Sequence, residues 1–170
     1  ARTRVLSADR PSEALEYFSR QLTTGNDSTP VRYGLALSMI ELGQSAEAAE
    51  MLAPALEQYP RQANLNLLQG RVQLLAGDKA GALATLGKAL NAYPRYAPAI
   101  LAYADALMTV GKPEEARQVL ISHEQALGVQ TETYNLLSQA ARDSGNMAEA
   151  SYQMAKFMDT RGKPGGPQAQ

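Results

Sequence analysis

Alanine stands at Ala14, Ala48, Ala82, Ala116 and Ala150, a spacing of 34 residues kept without slippage through the chain. A period of that length constrains the fold more than any other feature. A chain that repeats itself at such an interval builds one supersecondary unit again and again and buries its apolar faces between neighbours. Five places upstream the column reads Asp9, Gly43, Gly77, Gly111 and Gly145. Glycine there supplies the left-handed backbone that ends one helix before the next begins. No alternating apolar and polar pattern competes, so the expected fold is all-α, an array of antiparallel helix pairs.

In this register the array spans residues 1–164, with complete repeats at 29–62, 63–96, 97–130 and 131–164 and residues 1–28 supplying the end of a first repeat. The chain thus opens inside a helical pair. In the repeat 29–62, Tyr33, Leu35, Met39 and Ile40 give one apolar face and Leu52, Ala55 and Leu56 the face of the following helix. The next repeat does the same with Leu67, Leu68, Gly70, Val72 and Leu74, then Ala82, Leu83, Leu86, Ala89 and Leu90, small residues allowing close approach. Pro60 and Pro94, each preceded by tyrosine, mark helix ends, whereas Pro11 and Pro113 fall in a first helical turn, where proline is tolerated. Asn146 and Glu149 have capping-box spacing, and Asp78 directly after Gly77 reads as an N-cap. Pro54 falls inside a second helix, where a kink or early break is expected. The stretch 161–170 lacks apolar periodicity and reads as a tail from 165 on, or as the start of another element, since Gly162 lies half a repeat after Gly145.

Sixteen basic and seventeen acidic residues are spread without runs of one sign, for a net charge of −1. That argues against a nucleic-acid partner or an anionic membrane held mainly by charge. No apolar stretch reaches the length of a membrane span. One histidine and no cysteine cannot build a zinc site, which needs several such ligands, so no cofactor is expected in this chain. His123 shares its column with Ala55 and Ala89 and reads as a partly buried or edge residue. Glu114 and Glu115 fall in a first helical turn, where the helix dipole favours acidic side chains, and read as cap residues rather than an acid–base pair.

Helix, glycine, helix, with a small residue at the crossing and a 34-residue clock, is the tetratricopeptide repeat (TPR) pattern. The resemblance implies a solenoid of antiparallel helix pairs wound into a right-handed superhelix, whose function lies on a surface. In TPR arrays the first helix of each repeat lines the concave face. Carried onto this register, the lining columns hold Tyr33, Leu37, Ile40 and Glu41, then Leu67, Arg71, Leu74 and Leu75, then Leu101, Asp105, Met108 and Thr109, then Asn135, Gln139, Arg142 and Asp143. The groove shades from apolar to polar. Its apolar part either receives a protein partner or packs between repeats. Arg71 and Asp105 share a column, a placement that would let them pair. The basic and asparagine residues with which some TPR domains read a chaperone's C-terminal carboxylate are missing from the matching columns.

Three segments carry a narrower likeness: Arg10 to Leu22 (RPSEALEYFSRQL), Val31 to Gly43 (VRYGLALSMIELG) and Tyr134 to Phe157 (YNLLSQAARDSGNMAEASYQMAKF). Together they resemble the C-terminal TPR half of bacterial periplasmic zinc metallopeptidases of the beta-barrel assembly-enhancing type. The resemblance implies a periplasmic, non-catalytic interaction module in outer-membrane protein assembly and quality control. Zinc would belong to a separate catalytic domain. The implied partners are the peptidase domain of the same polypeptide and the barrel-assembly machinery. A free-standing scaffold or adaptor of a secretion, pilus or lipoprotein assembly complex is the alternative reading.

Overall fold

The structure, a computed structural model, describes residues 10–128 and 131–161. The expected start of the array in residues 1–9, the tail at 165–170 and the half-repeat at Gly162 lie outside the described residues. Among the described residues ten helices follow one another: α1 (Pro11–Thr23), α2 (Thr29–Glu41), α3 (Ser45–Gln58), α4 (Ala63–Leu75), α5 (Lys79–Ala92), α6 (Ala97–Thr109), α7 (Pro113–Ser122), the single-turn α8 (Glu124–Leu127), α9 (Thr131–Asp143) and α10 (Met147–Arg161). The fold is all-helical, with helices in antiparallel pairs, as the 34-residue period implies.

The glycine column makes the turns. After α2, Gly43 donates its N–H to the Ile40 carbonyl at 3.0 Å and Gln44 donates to Met39 at 2.8 Å. This two-bond closure satisfies carbonyls that a helix end leaves open. The same pair of bonds recurs at Gly77 and Asp78, at Gly111 and Lys112, and at Gly145 and Asn146. Gly43 has φ +76°, and nothing lies within 4 Å of where its Cβ would stand. Backbone conformation, not space, selects glycine there. Gly70 shows the opposite cause: it is helical, and a methyl group on it would overlap the Leu86 side chain.

The residue that closes each turn also opens the next helix. Asp78 Oδ1 accepts the Gly81 N–H at 2.9 Å and Asn146 Oδ1 accepts the Glu149 N–H at 3.2 Å. Each such cap stabilises its helix by about 1 kcal/mol. The reciprocal half of the Asn146 box runs between side chains, with Asn146 Nδ2 donating to Glu149 Oε2 at 3.0 Å. Gln44 and Lys112 make no side-chain cap bond, but Lys112 is followed by Pro113, whose missing N–H is an orphan donor at that position anyway.

The chain forms two compact units, the first ending at Ala89 and the second beginning at Leu90. In the first, Ala14, Phe18, Val31 and Leu35 form one cluster between α1 and α2. A larger cluster draws Ala36, Leu37 and Ile40 from α2, Ala48, Leu52 and Ala55 from α3, and Leu65, Leu68 and Val72 from α4. In the second, Ile100, Ala104 and Leu107 of α6, Ala116 and Leu120 of α7, Leu137, Ala140 and Ala141 of α9, and Ala150 of α10 are buried.

Two elements depart from expectation. Pro54 does not break its helix, since α3 runs through it to Gln58. Pro54 is exposed, and so is Glu50, whose carbonyl loses its N–H partner. An exposed helix face leaves the freed carbonyl open to hydration, which reduces the cost of an interior proline. The second departure is at His123, where the helix that stays whole at Ala55 and Ala89 divides into α7 and α8. His123 Nδ1 lies 2.8 Å from the Val119 carbonyl, which the His123 backbone N–H also reaches at 3.2 Å. Its ring therefore competes for a helix carbonyl, as short polar side chains do where helices end.

Candidate partner-binding surfaces

Each compact unit has first helices of its own. In the first unit these are α2 and α4, which carry eight of the expected lining residues. Two of them are buried: Leu37 is 5% exposed and Ile40 3%, both inside the cluster with Leu52, Leu65 and Leu68. The reason is the coverage of α2, which meets α1, α3 and α4 and buries seven of its thirteen residues. A helix packed on three sides has little lining left to offer.

The surface that remains belongs mainly to α4. Leu67, Arg71 and Leu74 are spaced to lie along one stripe of that helix, with Leu67 and Leu74 half-buried and Arg71 exposed. Leu75, 51% exposed, continues the stripe at the end of the helix. Tyr33 flanks it from α2, half-buried against the core cluster. Arg71 Nη1 reaches Glu41 Oε1 at 2.8 Å and ties α4 to α2. An exposed pair of this kind contributes about 1 kcal/mol or less to stability, but it sets a charge of each sign beside an apolar stripe. Arg32 in the first turn of α2 holds Asp27, just ahead of that helix, through two bonds of 2.5 and 2.8 Å, and this hydrogen bonding lowers the Asp27 carboxyl below its ordinary value.

In the second unit the first helices are α6 and α9. Leu101 is 8% exposed, one of the six residues that α6 buries among its thirteen. Asp105 and Arg142 are exposed, while Met108, Asn135 and Gln139 are half-buried. Gln139 Nε2 donates to Asn135 Oδ1 at 3.2 Å, forming a short amide row along α9. Such a row offers donors and acceptors to a peptide backbone with little selection by charge. A depression of about 390 Å³ between α6 and α7 is lined by Tyr103, Leu107, Glu115, Gln118, Val119 and Ser122.

Reading the columns one at a time missed the contacts between them. The Glu41–Arg71 pair depends on how α2 and α4 meet. A signal existed for it, since both residues fall in lining columns of neighbouring repeats. Among the described residues, no helix is long and apolar enough to cross a membrane.

These turns, paired helices and alanine crossings define a helical repeat array. The tetratricopeptide repeat family matches residues 5–72 and 73–126, and the chain belongs to that family. It is a TPR domain, a protein–protein interaction module. Among solved structures, it is similar to TTC0263, a thermophilic TPR protein of Thermus thermophilus, with a TM-score of 0.80 at 23% identity over 91% of this chain and 85% of that one. It is also similar to MamA, with a TM-score of 0.66 at 16% identity over 92% of this chain and 91% of that one. A chain of the APC/C hetero-tetramer Cut9–Hcn1 matches with a TM-score of 0.69 at 17% identity, covering 88% of this chain and 29% of that one. At these identities the likeness is one of fold. Comparison with curated protein sequences gives no match.

Proposed function

We propose that the chain recruits a protein partner on the α2–α4 face of its first compact unit. The observation that carries this reading is the stripe of Leu67, Arg71, Leu74 and Leu75 beside Glu41, where apolar side chains left partly open meet one fixed charge of each sign. Apolar anchors ringed by polar groups are the usual anatomy of a protein contact. The amide row of Asn135 and Gln139, with Arg142, Asp105 and Met108, supplies a second, polar contact surface in the other unit.

The likeness of residues 10–22, 31–43 and 134–157 to the TPR half of periplasmic assembly-enhancing peptidases supports a narrower reading. In it this chain is the non-catalytic recruiting half of such an enzyme, in the periplasm, with zinc held by the peptidase domain. Its partners are that domain and the barrel-assembly machinery. Pull-down of the purified chain against a separately produced catalytic domain and the barrel-assembly subunits tests this directly. Failure to retain any of them would favour a free-standing scaffold, and the reading frame upstream of Ala1 would then lack a histidine pair with an intervening glutamate.

A further inference from the structure

The residues that recur every 34 positions build the fold, so positions that abandon the period and converge on one place invite another explanation. One position does so in the second compact unit. Where earlier repeats have Leu22, Leu56 and Leu90, this unit has Glu124. Tyr134 and Tyr152 stand in columns with no constant residue, Arg32, Asn66 and Ile100 in one and Glu50, Ala84 and Gln118 in the other. Both rings meet Lys156. Its ammonium lies 4.7 Å from the Tyr152 ring centroid and 5.4 Å from that of Tyr134, within the reach of cation–π attraction. Glu124 on α8 adds its negative charge, and a hydrogen bond to Tyr152 is the main cause holding the Lys156 ammonium above its ordinary value. Tyr152 is 57% exposed, so the site opens to solvent.

We propose that Tyr134, Tyr152 and Glu124 form a receptor for a cationic side chain, lysine or arginine, of a protein partner, with Lys156 as its intramolecular occupant. Two aromatic rings from different helices and one carboxylate make a small cation site. The broken helix at His123 is what places Glu124 on a separate turn, α8, rather than in the continuous second helix of the earlier repeats. Lys156 reaches the site from one turn beyond Tyr152 on the same helix, so an incoming cation competes with a tethered one. Its apparent affinity falls by the fraction of time the site stands empty.

The test uses the full chain and short peptides, acetyl-Gly-Arg-Gly-amide and acetyl-Gly-Lys-Gly-amide, with the norleucine analogue as the neutral control. In Lys156→Met, the cationic peptides should shift the Tyr134 and Tyr152 ring resonances saturably, about tenfold more tightly than in the unaltered chain. Adding Tyr134→Leu should abolish the shift. If the methionine variant loses helix by circular dichroism, Lys156→Gln takes its place. No saturable shift in a folded variant, equal affinity with and without Lys156, or equal binding of the norleucine peptide would each overturn the proposal and leave the cluster as a packing contact.

Discussion

Arg117 on α7 reaches Glu149 on α10, Nη1 to Oε2, at 3.1 Å. The same guanidinium grips Glu114 with two bonds, Nε to Oε2 at 3.0 Å and Nη2 to Oε1 at 2.7 Å. Both carboxylates stand in the first turn of their helices, where the helix dipole favours them, and Glu149 is also half of the Asn146 cap. One arginine thus joins the openings of two successive second helices. With side chains 23% and 20% exposed, the Arg117–Glu149 pair is better sheltered than an ordinary surface pair.

A double-mutant cycle over Arg117→Met and Glu149→Gln should therefore give a coupling of about 1 kcal/mol, at the upper end for such pairs. Urea unfolding of the four chains measures it. Strict additivity would mean that the contact contributes nothing.

The hydrogen bond from Arg117 lowers the Glu114 carboxyl below its ordinary value of 4.5. A folded value below the unfolded one stabilises the fold fully at pH above the unfolded value, and that contribution fades as pH drops through the folded value. In Arg117→Met the carbon-13 titration of the Glu114 carboxyl should move up toward 4.5, and acid destabilisation should lose the part that Glu114 supplies. An unmoved midpoint would assign the shift to another cause.

Gly43 and Gly70 are required for different reasons, and substitution should separate them. At Gly43, with φ +76° and open space around it, alanine should cost about 1 to 2 kcal/mol and asparagine less, because asparagine tolerates the left-handed region. At Gly70, against Leu86, alanine should cost about 1 to 3 kcal/mol by overpacking, and asparagine more than alanine. Thermal unfolding of the four variants gives the two orders, and the same order at both sites would refute the distinction.

The period, the glycine turns, the caps at Asp78 and Asn146 and the helix-opening prolines were legible because each is a local backbone requirement written in one or two residues. The early break expected at Pro54 does not occur, because its cost depends on whether the freed Glu50 carbonyl is buried. Leu37, Ile40 and Leu101 stand in columns that line a groove in other arrays, and here neighbouring helices bury them, which a column read alone does not specify. Contacts between repeats, such as Arg117 with Glu149 or Glu41 with Arg71, need the geometry of two helices at once. The spacing of either residue alone does not specify them.

Pro54→Ala should stabilise the chain, because it restores an N–H for the Glu50 carbonyl without disturbing a core contact. The gain should be about 1 to 3 kcal/mol, the lower part of that range if water already serves the carbonyl well. A fall in melting temperature would show that the proline ring itself packs usefully.

Leu67 and Leu37 occupy neighbouring first helices and should behave in opposite ways. Leu37 is enclosed by α3 and α4 core residues, so Leu37→Ala should cost about 2 to 5 kcal/mol of stability. Leu67 is half-buried on the stripe that Arg71 and Leu74 share. Leu67→Glu should leave the melting temperature nearly unchanged while weakening association with the partner by about 2 kcal/mol or more, as loss of an interface anchor does. Thermal unfolding beside pull-down against the peptidase domain and the barrel-assembly subunits reads both quantities on the same protein. A large loss of stability in Leu67→Glu would mean that the side chain serves the fold, since a carboxylate forced into a packed site destabilises whether or not a partner is present. Unchanged binding in a folded variant would remove the α4 stripe as the working surface.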